Sequence, residues 1–145
     1  MNAERVFVDA NVLVYAHDRG AGGKHERAKG IVRDCWASGI PANLSVQVLQ
    51  EVHVTLLRKG LPMADSAAIV EDYLRWNVVE NRIALLREAL VVQGEFGLSF
   101  WDASIVAAAL ASGAEELWSE DFQADRVYRG LRVVNPFAGV SGDLG

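Results

Sequence analysis

At 145 residues, 51% hydrophobic and 23% charged, the chain is long enough to bury the core of one domain and too apolar to be disordered. Its net charge of −5, from 19 acidic and 14 basic residues, argues against a generic cationic nucleic-acid coat. No apolar stretch would span a bilayer, no cleavage signal follows the N-terminal apolar run, and the sole cysteine, Cys35, cannot form an internal disulfide, so the expected setting is the cytoplasm.

The first expected element is a strand over Arg5 to Asp9, in which Val6, Phe7 and Val8 form a β-branched and aromatic run of the kind buried in parallel sheets. A helix follows through Ala16, then a glycine-containing loop, Arg19 to Gly23, and a helix over about Lys24 to Ala37. Pro41 to Leu44 reads as a short strand, and Ser45 caps a helix that carries Glu51 and ends near Gly60. Helices over about Met63 to Trp76 and Arg82 to Phe96 flank a weak strand at Asn77 to Val79. Next come a helix headed by Asp102, a strand over Glu116 to Ser119, and a final strand, Leu131 to Val134, stopped by Asn135 and Pro136. Such alternation specifies an α/β domain spanning 1–145, with a mainly parallel central sheet and helices on both faces.

Four acids end or interrupt apolar runs: Asp9, Glu51, Asp102 and Asp121. Carboxylates so close to a core are costly to bury unless paired, protonated or bound to a cation, so the set suggests one shared metal site. Asp9 falls at the carboxyl end of the first strand, where open α/β sheets place ligands, and Asp121 repeats that arrangement after a later strand. Asp102 shares a helix face with Ile105, Val106, Ala109 and Leu110 and so heads the inward stripe. Glu51 borders the apolar stripe of its own helix. Each has a plainer reading: Asp121 as a cap or turn residue, Asp102 as a first-turn complement to the helix dipole, and Glu51 as a solvated border charge. Asn11 adds an amide able to orient a carboxylate, a water or a substrate phosphate, or else it caps the following helix, Val12 to Ala16.

Carboxylate oxygens suit Mg2+ or Mn2+, and the chain has neither a Cys/His set nor an HExxH pattern for zinc. His17, His25 and His53 are scattered and read as surface or loop residues. A bound cation lowers the pKa of its water from about 15.7 towards neutrality and offsets charge growing on phosphate oxygens. Asp9, Asp102 and Asp121 are the expected ligands, with Glu51 as ligand or water-orienting base; Asn11, Ser119 and Arg126 are the candidate substrate contacts. Arg126, Arg129 and Arg132 read by default as solvated surface charges, though they follow Asp121 closely enough in sequence to meet a phosphate backbone.

With these residues in view, VFVDANVLVYA, the Glu51 helix, SFWDASIVAAA, and LWSEDF followed by LRVVNPF resemble a PIN-domain protein, specifically a VapC-type toxin ribonuclease, over about Val6 to Phe137. The resemblance implies a three-layer α/β/α PIN fold, a Mg2+ or Mn2+ requirement, cleavage of RNA, a homodimer and a cognate antitoxin. It carries over Asp9, Glu51, Asp102 and Asp121 as the acidic cluster and Asn11 as its polar companion. Two positions depart from it: Ala10 stands where many members have Thr or Ser, and Asp125 where relatives often have Gly. The tryptophans at 36, 76, 101 and 118 and the apolar helices offer more apolar surface than one such domain readily hides, in keeping with a dimer and a further groove for the antitoxin. Two alternatives remain at this level: the same nuclease fold used in RNA processing, and a receiver-like Mg2+-binding signalling module. The latter usually shows two adjacent acids after the first strand, whereas Asp9 has no acidic neighbour.

Overall fold

Val6, Phe7 and Val8 have no polar side chain to expose, and all three are buried in β1 (Val6–Val8), a central strand of the sheet. The computed structural model describes residues 2–140. After β1 come α1 (Ala10–Ala16), α2 (Gly23–Ala37), β2 (Asn43–Ser45), α3 (Val46–Arg58), α4 (Met63–Tyr73), β3 (Asn77–Val79), α5 (Ile83–Phe96), α6 (Phe100–Ser112), β4 (Glu116–Trp118), β5 (Val127–Tyr128) and β6 (Leu131–Val134), with short 3-10 turns at Ala3–Arg5 and Arg19–Ala21.

The strands lie in the order β3-β2-β1-β4-β6-β5, parallel throughout except for β5, which runs antiparallel to β6. The chain thus moves outward from β1 to β3 and then returns to the far side of β1 to place β4. Right-handed crossovers put α1 to α4 on one face and α5 and α6 on the other, in agreement with the contacts of α1 with α2 and α3, and of α5 with α6. The order reverses between β1 and β4, and the crevice outside their carboxyl ends is the switch point where such sheets hold ligands. No helix among the described residues is long and apolar enough to cross a membrane.

Local chemistry explains the boundaries. Ser45 and Ser99 cap α3 and α6, their hydroxyls accepting from the Val48 and Asp102 amides at 3.2 and 3.1 Å. Asn43 is buried in β2 because its amide has work there: it donates to the Glu4 and Val6 carbonyls at 2.9 and 3.0 Å and accepts from Asn77 Nδ2 at 2.6 Å, tying β1 to β2 and β3.

Three sequence expectations shift. The second strand starts at Asn43 rather than Pro41, which has no amide N–H to give to a neighbouring strand. The fourth helix ends at Tyr73, where Leu74 and Trp76 turn out of it. An extra edge strand, β5, forms a hairpin with β6 across Arg129 (φ 50) and Gly130 (φ 86), the paired positive-φ residues of a tight hairpin turn.

Candidate active site

Asp9 leaves β1 and caps α1, with Oδ1 accepting from the Ala10 amide at 2.8 Å. Its main-chain amide donates to the Trp118 carbonyl at 3.1 Å, so the end of β1 and the end of β4 are stitched together at the switch point. Only 5% of Asp9 is exposed. Its other oxygen, Oδ2, accepts from the Ser119 hydroxyl at 2.7 Å and from Asn11 Nδ2 at 3.4 Å.

Ser119 is fully buried and continues β4, its amide donating to the Val134 carbonyl at 3.0 Å. The Asn11 amide, one helical position into α1, gathers the loop beyond it. Nδ2 donates to Ser119 Oγ at 3.0 Å and to Asp121 Oδ2 at 3.1 Å, while Oδ1 accepts from the Glu120 amide at 3.3 Å. The Asp121 amide in turn donates to Ser119 Oγ at 3.1 Å. Asp9, Asn11, Ser119 and Asp121 are therefore one hydrogen-bonded unit, in which two carboxylates share one amide.

Burial pushes the Asp9 carboxyl up to about 6; the Ser119 and Ala10 hydrogen bonds pull it down, and the negative charges of Glu51 and Asp121 add to the rise. Glu51 thus lies within electrostatic reach of Asp9. It is exposed on α3, where Gln47 Nε2 donates both to Glu51 Oε1 at 3.2 Å and to the Trp101 carbonyl at 3.4 Å. Gln47 so links the Glu51 turn of α3 to the first turn of α6, where half-buried Asp102 sits. Among the described residues, no hydrogen bond or ion pair joins the Asp102 side chain to the Asp9 unit. Among the described residues, no three carboxylate, histidine or cysteine side chains stand close enough to enclose an ion.

The donor set still suits a hard divalent cation. It offers only oxygens, and its buried member faces two further acids while no basic side chain ranks among the groups acting on it. Asp9 and Asp121, joined through Asn11 Nδ2, are the two carboxylates that could hold an ion together, with Glu51 within electrostatic reach of Asp9.

The other expected residues divide. Arg126 lays its guanidinium over the Tyr128 ring, 5.2 Å from its centre, and makes no hydrogen bond to the acids. Arg129 pairs with Glu88 and Glu95 of α5, and Arg132 with Glu116 and Asp125, so these two are engaged within the chain rather than held for a phosphate. Asp125 is solvated and holds φ 65, a conformation natural to glycine, which accounts for the Gly expected there. The histidines are half-buried and bonded elsewhere: His17 to Tyr73 Oη, His25 to the Tyr15 carbonyl and His53 to Ser66 Oγ, each at 2.8 Å.

Two features escaped the sequence reading. Gln47 is one, although its i, i+4 spacing to Glu51 was a usable signal. The other is a clamp on the loop: the Glu120 carboxylate accepts from Tyr15 Oη and pairs with Lys24 Nζ at 2.9 Å, joining the loop to α1 and α2. Nothing local announces partners 105 and 96 residues away.

The PIN domain family model matches residues 6–130. The chain belongs to the PIN domain family. Membership in it supports assignment as a nuclease, and so as a hydrolase. Among solved structures, this PIN domain is similar to a toxin–antitoxin complex from Klebsiella pneumoniae, with TM-score 0.67 and 19% identity over 90% of this chain and 97% of that one. It is also similar to VapC20 of Mycobacterium tuberculosis, described as a sarcin-ricin loop cleaving toxin, with TM-score 0.59 and 27% identity over 77% and 86%. A third is VapBC2 from Rickettsia felis bound to promoter DNA, with TM-score 0.63 and 15% identity over 90% and 97%. No curated protein matches the chain in sequence. The receiver-like alternative falls with the family match.

Proposed function

We propose that this PIN domain is a Mg2+- or Mn2+-dependent ribonuclease, acting as one domain and serving as the toxin of a toxin–antitoxin pair. The observation that carries the reading is the buried Asp9 carboxylate, bonded through Asn11 and Ser119 to the Asp121 loop and faced by Glu51, at the switch point of a PIN fold. Asp9 and Asp121 would hold the cation, joined by Asp102, with Glu51 as ligand or base. The ion, once bound, would activate water and offset charge on the phosphate. The chain's own part is to hold the carboxylates still: Asn11 and Ser119 orient Asp9 and Asp121, and Gln47 orients Glu51. Asn11, Ser119 and Arg126 are the proposed substrate contacts, the first two by way of the carboxylates that they set.

The partners follow the neighbours. The Klebsiella and Rickettsia structures contain antitoxins, and a cognate antitoxin is proposed here too. A homodimer is proposed through α5, whose Ile83, Leu86, Leu90 and Val91 stand at least half exposed on the described chain. The cytoplasm is the proposed setting, where the buried Cys35 thiol, which desolvation pushes up to about 11, stays reduced.

Asp102→Asn tests the catalytic assignment, because the amide keeps the shape and removes the charge. The purified variant should fold and lose most metal-dependent cleavage of RNA. Cleavage at the wild-type rate would remove Asp102 from the machinery. The histidines make a control, since substituting His53, bonded to Ser66, should leave cleavage intact.

A further inference from the structure

Lys24 and Arg27 stand one turn apart on α2, so their side chains leave the same face of it. Lys24 pairs with Glu120, the neighbour of Asp121. Arg27 Nε donates to the Pro136 carbonyl at 3.1 Å. Pro136 follows the end of β6, and the Ser119 amide joins that end directly to β4 through the Val134 carbonyl. The first turns of α2 therefore run along the rim of the crevice, from the Asp121 loop to the turn after β6.

Arg27 differs from the other cations near this rim. Lys24 meets Glu120, Arg129 meets Glu88 and Glu95, Arg132 meets Glu116 and Asp125, and Arg126 lies over Tyr128. Arg27 is exposed, has no acid partner among the described residues, and uses only Nε within the chain. That one bond fixes the plane of the guanidinium and leaves both terminal nitrogens to donate as a fork. Such a fork fits an anion with two accepting oxygens, and on an RNA strand that group is the phosphodiester.

Which phosphate it meets follows from the sheet. No basic side chain ranks among the groups acting on the Asp9 carboxyl, so Arg27 stands beyond the position of the cut. β6 is the next strand past β4, and neighbouring strands lie roughly 4.8 Å apart. RNA crossing the carboxyl ends of β1 and β4 thus comes over the end of β6 with its next phosphate. We propose that Arg27 is a substrate-binding residue that holds the phosphate flanking the scissile one, on the side that passes over β6. α2 and α5 pack on opposite faces of the sheet, so the dimer proposed through α5 leaves Arg27 open. The proposal rests on the ribonuclease reading.

The test is steady-state cleavage of a single-stranded oligoribonucleotide in Mn2+ by wild type, Arg27→Ala and Arg27→Lys, each over a series of NaCl concentrations. Arg27→Ala should raise KM roughly 5- to 50-fold with little change in kcat, and the slope of log KM against log salt should drop by about 0.7, the share of one phosphate on a single strand. Arg27→Lys keeps the charge without the fork, so it should recover the salt slope and part of the KM. A substrate with one uncharged methylphosphonate should weaken wild type at one of the two linkages flanking the cut and cost Arg27→Ala nothing further there. If wild type cleaves and Arg27→Ala keeps its KM and salt slope, the contact is overturned and the nuclease stands. If both variants melt lower, are equally impaired and feel the uncharged linkage as wild type does, Arg27 only anchors the turn after β6 and the contact is again overturned. Should Arg27→Ala not fold, a wild type indifferent to the uncharged linkage on both sides of the cut overturns it alone. If folded wild type cleaves no RNA at all, the ribonuclease reading falls and the contact falls with it.

Discussion

Asp9 serves two structures with its two oxygens. Oδ1 belongs to the helix cap and Oδ2 to the Ser119–Asn11 unit, so neither can turn away without breaking a hydrogen bond. Its raised folded value carries a definite pH signature. Between about 4 and about 6 the folded state holds a proton on Asp9 that the unfolded state has released, so stability falls as pH rises through that window and the loss is complete above it. Asp9→Asn should therefore stabilise the metal-free protein at pH 7 by on the order of 1–3 kcal/mol and flatten the melting temperature between pH 4 and 6. Equal pH profiles for variant and wild type would show that the buried carboxylate carries no penalty. Protons and cations compete for this one group, so Mn2+ should raise the melting temperature less at pH 5 than at pH 8.

At the level of elements, the loop after β4 is held from both sides. Asn11 grips it from α1, and the Tyr15–Glu120–Lys24 clamp grips it from the C-terminal end of α1 and the first turn of α2. Glu120→Ala should leave the fold intact and weaken the response to Mn2+, raising the concentration needed for half-maximal cleavage several-fold; an unchanged metal titration would show that Asn11 alone suffices. Asn43→Ala removes the amide that serves the Glu4 and Val6 carbonyls, and it should cost about 1–3 kcal/mol in urea unfolding without altering the acids. Most elements were legible because their apolar period and their caps agree, as with Ser45 before α3 and the alternation that specified a parallel sheet. The β5 strand was not, since two residues show no period and Arg129–Gly130 lacks the usual Asn-Gly or Asp-Gly signal. Within the site, Asp9, Asn11 and Asp121 could be singled out because strand ends are readable. The Tyr15 and Lys24 partners of Glu120 could not, since long-range pairing leaves no mark on local sequence. Sequence proximity likewise said nothing of the partners of Arg129 and Arg132, which pair at the surface with Glu88, Glu95 and Glu116.

Across the whole molecule, the charges of Glu51 on α3 and of Asp121 after β4 both act on the buried Asp9 carboxylate, and that repulsion weakens the metal-free fold. A cation that binds only the native state adds RT ln(1 + [L]/Kd), so millimolar Mg2+ or Mn2+ should raise the wild-type melting temperature. A quadruple variant with Asp9, Asp102 and Asp121 changed to Asn and Glu51 to Gln should melt above metal-free wild type and ignore the ion. A variant that melts lower, beside a wild type indifferent to both ions, would reduce the acids to caps and surface charges. Light scattering at micromolar concentration should give twice the chain mass, and Leu86→Glu with Leu90→Glu on the α5 face should halve it.

The Ser119 amide donates to Val134, and β6 lies between β4 and the edge, so the loop bearing Asp121 is supported by chain that comes after it. All four acids have been synthesised by residue 121, yet the strand that steadies the last of them has not. A chain growing on a ribosome therefore carries all four proposed site residues before the loop is supported, and any activity they confer should arrive late, when β6 pairs with β4. Chains ending at Phe122 should possess the full set of acids and cleave nothing. If the proposed ribonuclease activity holds, that timing would protect the machinery still making the chain.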